Sequence, residues 1–493
     1  MRNDLYHIER SAMTTLQAQI RETLVSAVLS GQLSEGDPIP STRAMAQRLH
    51  VSRNTVMLAY QSLAADGFLE SRERSGFYVT EAATASAAEY SNENLTPASN
   101  RSQLDWHARF QMHPSTQENL TKPQNWHEYP YPFVYGQSDP SLFPIAEWRE
   151  CSRQALGRQW LEDWTSDHFG ADDPMLVEQI RKRILPRRGI QADPDNILIT
   201  MGAQNGLYLL ANLLISRDTH VAIEDPGYPD MRNIMSLYTP HVAPAALDQD
   251  GIVVGAELDR ADLVYVTPSH QFPTNRTMPL ERRKQLLDWA GDRDRLIIED
   301  DYEFETNYLG GPCPSLKSLD AAGRVLYVGS LSKSLVPGLR MGFLVAPRRV
   351  IAEARALRRL LLRHPPGNNQ RVVSMFLALG HYDTLVSRLH RHYGKRWQVM
   401  NAALEQHLPN WSQSSSFGGT SFWLTGPSNL DATELFKQAL EDGIVIETGD
   451  VCFHPATRQT NCFRLGFSSI PEDRIANGIE RLAAILRRMG HLK

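Results

Sequence analysis

The sequence predicts an α/β protein made of an N-terminal winged helix-turn-helix and a larger C-terminal body with a mostly parallel sheet. Three observations predict it. Residues 12–80 carry helical apolar spacing, two cap signals and a short hairpin. Beyond residue 129, short apolar runs alternate with helical stretches, the pattern of a layered α/β domain. Between them lies a polar tract with no sustained apolar period, which reads as a linker whose second half, with Trp106, Phe110 and Trp126, can dock on a neighbouring surface.

In the head, Leu16, Ile20, Leu24, Ala27 and Val28 recur at helical spacing, and Gly31 supplies a stop. Ser41 can cap a second helix that buries Met45, Ala46 and Leu49. After a turn at His50-Val51, Ser52 can cap a third helix with Val56, Ala59, Tyr60 and Leu63 inward, ending at Gly67. Residues 68–71 and 76–79 then form the two strands of a wing. The head is therefore assigned to 1–80, the linker to 81–128 and the body to 129–493. In the body, strands are predicted at 197–200, 221–224, 263–267, 296–299, 325–328 and 342–345, and helices at 207–214 and 280–290.

Bulk numbers bound the chemistry. At about 150 residues per domain, 493 residues suggest roughly three compact units. A net charge of −5 excludes a polybasic nucleic-acid coat, so any DNA contact must be local. The four cysteines include no C-x-x-C pair and no zinc-like spacing, so no metal site is expected. The N-terminus has no apolar signal region, and no run approaches the ~18 apolar residues that span a bilayer, so a cytoplasmic location is expected.

Between Asp37 and Asp66 the head has no acidic residue, but it has Arg43, Arg48 and Arg53. The start of the third helix offers Ser52, Arg53, Asn54 and Thr55. Recognition helices present such N-terminal residues to base edges, while arginines neutralise phosphates. Arg43, Ser52, Arg53, Asn54 and Thr55 are thus the DNA-binding candidates. Isolated surface arginines that merely solvate a helix are also common.

In the body, Lys333 follows an apolar strand in Gly329-Ser330-Leu331-Ser332-Lys333, and Arg340 comes seven residues later. A lysine so placed can form a Schiff base with the aldehyde of pyridoxal phosphate. Asp300, in Glu299-Asp300-Asp301-Tyr302, suits the pyridinium nitrogen. Tyr302 suits the ring 3′-oxygen, and Tyr228, in Asp225-Pro226-Gly227-Tyr228, can stack on the ring. Met201-Gly202-Ala203-Gln204 follows a strand and opens a helix. The Ala203 and Gln204 amides with Ser330 and Arg340 can therefore cup the phosphate. Arg464 can fork the carboxylate of an amino-acid ligand or make a plain surface or core ion pair. Asp230, just past Tyr228, can meet a ligand or face solvent. Each piece alone occurs as an ordinary turn or surface side chain; their order and strand-end placement make the set.

The head pattern Gly31-x-Leu33, Gly36, Pro40-Ser41-Thr42-Arg43, Val51-Ser52-Arg53-x-Thr55-Val56, Ala59-Tyr60-x-x-Leu63, Gly67 resembles the GntR-type winged helix over 12–80. It departs in the wing, where Arg74-Ser75-Gly76 replaces a frequent G-x-G. The body resembles the fold type I aminotransferases from Phe133-x-x-Gly136 through Gly418-Gly419-x-x-Phe422-Trp423 to Arg464. The combination, with Ser269-His270-Gln271-Phe272-Pro273-Thr274 and Asp139-x-x-Leu142-Phe143-Pro144, resembles the MocR/GabR subfamily of bacterial regulators. Where many aminotransferases have N-P-T-G, this chain has Phe272-Pro273-Thr274-Asn275, leaving Tyr302 more of the hydrogen bonding.

The resemblance implies a head-to-tail homodimer on double-stranded operator DNA. It also implies pyridoxal phosphate on Lys333 and an amino-acid-like effector sensed by forming an external aldimine in place of the lysine. The competing reading is a catalytic aminotransferase with an accessory DNA-binding domain; a third is a body that has lost the cofactor and only dimerises.

Overall fold

The structure is a computed structural model that describes residues 14–72, 75–81, 83, 105–307, 313–412 and 418–492. The chain divides into two compact units, Met1–Phe110 and Gln111–Lys493.

In the first unit, helix α1 (Leu16–Leu29) starts at Thr15, whose hydroxyl accepts from the Ala18 amide. Helix α2 (Thr42–Leu49) is capped by Ser41 and α3 (Arg53–Ala65) by Ser52, whose hydroxyls accept from the amides of Ala44 (3.2 Å) and Thr55 (3.0 Å). Each cap satisfies a backbone donor that the helix start leaves open. Ile20, Leu24, Met45, Val56, Tyr60 and Leu63 form the core, and the Tyr60 hydroxyl donates to the Pro40 carbonyl at 2.8 Å. Strands β1 (Leu69–Arg72) and β2 (Gly76–Val79) pair antiparallel, with Leu69 opposite Val79. The predicted wing departure at Arg74 lies outside the described residues, as do 82 and 84–104 of the predicted linker.

The rest of that predicted linker is not a free tether. Gln117 and Glu118 bond to Asn233 and Arg458, and Leu120 packs on the cluster of Tyr135, Phe272, Tyr302 and Cys452. Docking of this half was expected of its aromatics, but Trp106 and Phe110 are exposed and Leu120 makes the contact, a single leucine having no periodicity to read.

The second unit opens with β3 (Tyr131–Pro132). Its main sheet then collects β4 (Ile197–Thr200), β5 (Val221–Asp225), β6 (Val242–Asp248), β7 (Gly251–Ile252), β8 (Leu263–Val266), β9 (Leu296–Asp301), β10 (Val325–Ser330) and β11 (Gly342–Val345). Spatial order is β4-β11-β10-β9-β8-β5-β6-β7. Strands β10, β9, β8, β5 and β6 pair parallel, whereas β11 runs antiparallel between β10 and β4. All six strands predicted from apolar runs are present. Strand β6 escaped prediction because Pro244 interrupts it and its small alanines carry little strand preference.

A second lobe holds β12 (Ser421–Thr425), β13 (Ile444–Val445), β14 (Glu447–Thr448) and β15 (Cys462–Gly466). Strands β12-β15-β14 form one sheet, and β13 pairs with β3. The helices His381–His407 and Glu472–Arg488 pack together beside them.

One buried carboxylate ties β4 to its neighbours. Asp172 accepts from Arg355 (2.7 Å), from Arg358 (2.6 Å) and from the Ile199 amide, and the Asp172 and Arg358 side chains are fully buried. Removing one member of such a cluster leaves a buried charge unpaired, at a cost of about 3–5 kcal/mol. Asp172→Ala should therefore destabilise the large unit by about that amount, measured by chemical denaturation, whereas breaking the solvent-screened exposed pair Arg153–Glu150 should leave the transition essentially unmoved.

Candidate functional site

The carboxyl ends of the parallel strands converge on one cavity of about 260 Å³. Open α/β sheets place ligands at this edge, where loops leave strands pointing the same way. Lys333, Asp300, Tyr302, Tyr228, Ala203, Gln204, Ser330 and Arg340 all line it. Eight of the nine residues expected around the cofactor and its ligand are thus brought together.

Asp300 and Asp301 end β9 but face different tasks. Asp301 accepts from Arg188 (2.6 Å) and from the Tyr327 hydroxyl (2.8 Å) in the core. Asp300 accepts from the Tyr265 hydroxyl at 2.7 Å through Oδ2, and its buried Oδ1 has no partner among the described residues. Burial pushes the Asp300 carboxyl up to about 7. A buried oxygen with an unmet lone pair fits a cationic ring N–H.

The phosphate end is equally formed. Helix Ala203–Leu214 begins at Gly202, which has φ +79°, and a Cβ there would meet the Arg340 guanidinium at 3.2–3.3 Å. A twelve-residue helix presents free amides and the positive end of its dipole at this start. Ser330 is buried beside it, and Arg340 itself adopts φ 53° to reach in.

Lys333 reaches the cavity between two tyrosines, with Nζ 4.3 Å from the centre of the Tyr135 ring and 5.9 Å from that of Tyr302. Burial lowers its amine from the ordinary lysine value, with Glu303 the largest opposing influence. The Tyr302 hydroxyl donates to the His270 carbonyl at 2.8 Å, so its oxygen meets the cavity as an acceptor. The Tyr228 hydroxyl donates to Asp230, which also accepts from Gln204. Asp230 is therefore tied to protein groups.

Arg464 stands apart. It does not line the cavity: it lies between the rings of Tyr135 (3.9 Å) and Phe272 (4.5 Å) and pairs with Glu447 at 2.8–2.9 Å, both side chains buried. Arg464 and Glu447 are directly opposite on β15 and β14. Of the two roles open to it in the sequence, the internal ion pair is the one this geometry displays. Sequence reasoning did not find Glu447, which sits on a two-residue strand with no pattern of its own. It also missed Tyr265, although a tyrosine inside an apolar strand is a residue whose hydroxyl needs a partner.

In the head, Arg43, Arg53 and Asn54 are exposed. Ser52 is exposed but its hydroxyl is occupied by the α3 cap, and the half-buried Thr55 shares that hydroxyl at 2.8 Å. The Arg53 Nε donates to Thr42 at 3.3 Å, linking the starts of α2 and α3.

Residues 16–79 match the bacterial regulatory proteins of the gntR family, and residues 165–482 match aminotransferase class I and II. The HTH-type transcriptional regulator TauR of Rhodobacter capsulatus is 46% identical over 96% of this chain and 97% of its own. The probable rhizopine catabolism regulatory protein MocR of Rhizobium meliloti is 30% identical over 92% and 88%. This chain belongs to the MocR-type, gntR-family regulators. Its body has the pyridoxal phosphate-dependent aminotransferase fold. The kynurenine aminotransferase of Pyrococcus horikoshii, solved with PMP, superposes with a TM-score of 0.71 at 26% identity, covering 79% of this chain and 99% of that one. LysN of Thermus thermophilus, solved with a phosphopyridoxyl-leucine, gives 0.71 at 27%, covering 78% and 99%. Among the described residues no helix is long and apolar enough to cross a membrane.

Asp300 makes a pH prediction. Its folded value of about 7 lies above the ordinary 3.8, so the folded state holds this proton more tightly than the unfolded chain does. Stability from that proton is complete below about pH 4 and is lost as pH rises through 7, a change on the order of 4 kcal/mol. Cofactor-free protein should accordingly lose stability relative to Asp300→Asn between about pH 4 and 8. Parallel pH–stability curves for the two would contradict the unmet oxygen.

Proposed function

We propose that this regulator senses a primary amino compound at Lys333 and passes the result to operator DNA. The observation that carries this reading is the cavity in which a lysine amine faces a buried carboxylate with one unmet oxygen. The cofactor, when bound, supplies an aldehyde carbon on which an incoming amine can take the place of Lys333.

In this reading Asp300 Oδ1 holds the proton of the ring nitrogen and Tyr265 fixes the carboxylate's orientation. The Ala203 and Gln204 amides, the Ser330 hydroxyl and Arg340 hold the phosphate, and Tyr228 covers one face of the ring. Tyr302 serves the ring 3′-oxygen by turning its proton from the His270 carbonyl. Arg464 is the counter-charge for an acidic group on the effector, which must compete with Glu447 for it. That competition penalises weak anions and selects ligands whose amine and acid are spaced to reach both ends.

The body acts as a sensor and not as a turnover enzyme. Relatives spanning nearly the whole chain are named as regulators, including one of pyridoxine biosynthesis in Corynebacterium glutamicum, 28% identical over 93% of each chain. A head-to-tail homodimer presents two α3 helices to a repeated operator, with Arg43, Arg53 and Asn54 facing the DNA and Ser52 and Thr55 holding the helix start. An effector shifts this system only through its different affinity for two arrangements of the protein.

Lys333→Ala should abolish the visible absorption of cofactor-loaded protein while leaving operator binding measurable; a retained yellow band would remove Lys333 from the anchor role. Arg53→Ala should weaken operator binding by about 1–3 kcal/mol in gel shift without changing the chromophore. Robust multiple turnover with a panel of amino donors and keto acids would instead identify a working aminotransferase.

A further inference from the structure

Lys333 stands between two cavities. One is the cofactor cavity; the other, about 20 Å³, has room for a single water and is lined by Lys333, Glu303, Glu305, His390, Tyr393 and Thr420, among others. Among the described residues, Lys333 is the one lysine or arginine lining this smaller cavity.

Glu303 is 4% exposed, and one of its oxygens accepts from the Thr420 hydroxyl at 2.9 Å. The other, Oε2, is buried and accepts no well-formed hydrogen bond among the described residues, the neighbouring Tyr135 hydroxyl being the neutral donor that interacts with this carboxylate. A buried carboxylate with an unmet oxygen is costly unless a cation comes to it. Glu305 is already engaged, by the hydroxyls of Tyr382 and Ser334. Space for movement is built in as well. Gly136 has φ +72°, and a Cβ there would lie 2.8 Å from Lys333 Nζ, so the glycine keeps the end of the lysine clear.

We infer that Glu303 receives the Lys333 ammonium when an incoming amine displaces the lysine, and so sets how readily the effector is captured. The inference rests on the proposed sensing role of Lys333. The effector arrives as an ammonium. Its nitrogen bonds to the cofactor carbon as the bond from that carbon to Nζ breaks, and its three protons finish on Nζ. One positive charge thereby moves from ligand to lysine, with no oxidation or reduction. Left in a buried site, that charge would oppose the exchange; beside Glu303 Oε2 it is neutralised. Around Nζ, Arg464 acts with burial against the charge, while Glu303, Glu447 and Asp300 favour it. Glu303 is thus a positioning residue, acting through the lysine.

The test uses full-length, cofactor-loaded protein and aminooxyacetate as the displacing amine. Its nitrogen is uncharged near neutral pH, so its two protons join the one the imine nitrogen already carries, and Nζ again leaves as the ammonium. Glu303→Gln should retain its colour but release Lys333 about tenfold more slowly near neutral pH, the effect of one pKa unit at the lysine. Glu303→Asp should restore much of the rate. In cofactor-free protein, isotope-labelled reductive methylation followed by NMR should show Lys333 titrating about one unit lower in Glu303→Gln than in wild type. A crystal structure of the wild-type complex should place Nζ within hydrogen-bond distance of Glu303 Oε2, a result that does not depend on how any variant folds. Unchanged release and titration in Glu303→Gln, or Nζ remaining over the Tyr135 ring in the complex, would overturn the inference. Wild-type protein whose spectrum ignores aminooxyacetate would instead sink the sensing role itself.

Discussion

A carboxylate buried at the end of a central strand, with one oxygen satisfied and the other open, is the constraint around which the large unit is arranged. Burying a half-paired Asp300 is expensive, and the chain surrounds it with neighbours that make the expense specific. Tyr265 from β8 holds Oδ2, while Asp301 turns the opposite way and joins Arg188 and Tyr327. Parallel pairing of β8, β9 and β10 sets these side chains at one edge, opposite the glycine-led helix start and the lysine loop. The cavity is therefore shaped by the protein's own side chains, and Asp300 lines it with Oδ1 unpaired among the described residues.

The same principle recurs twice nearby with different outcomes. Arg464 and Glu447 are a closed pair: cross-strand neighbours, both buried, with two aromatic rings over the guanidinium. Glu303 is an open one, a buried acid whose second oxygen faces the space beside Lys333. Closed pairs hold a site's shape, and open ones define where charge can move. A site with both can stay rigid while a single lysine end changes place.

In the head, the capping hydroxyls show how an exposed surface is held by structural parts. Ser41 and Ser52 spend their side chains on helix starts, and Arg53 bridges to Thr42. Those bonds fix the starts of α2 and α3, which carry the exposed Arg43, Arg53 and Asn54 proposed to face DNA.

Much was legible from the order of residues alone. Apolar runs marked the six strands, serine caps marked α2 and α3, and strand-end lysine, aspartate, serine and arginine marked the cofactor cavity, because local spacing dictates each of these features. Tertiary structure decided the pairings that join residues far apart in the chain. Glu447 reaches Arg464, Tyr265 reaches Asp300, Glu303 shares a cavity with Lys333, and the stretch after the polar tract packs Leu120 on the site. Each depends on distances between strands and lobes, and a one-dimensional pattern carries periodicity and local chemistry but not those distances.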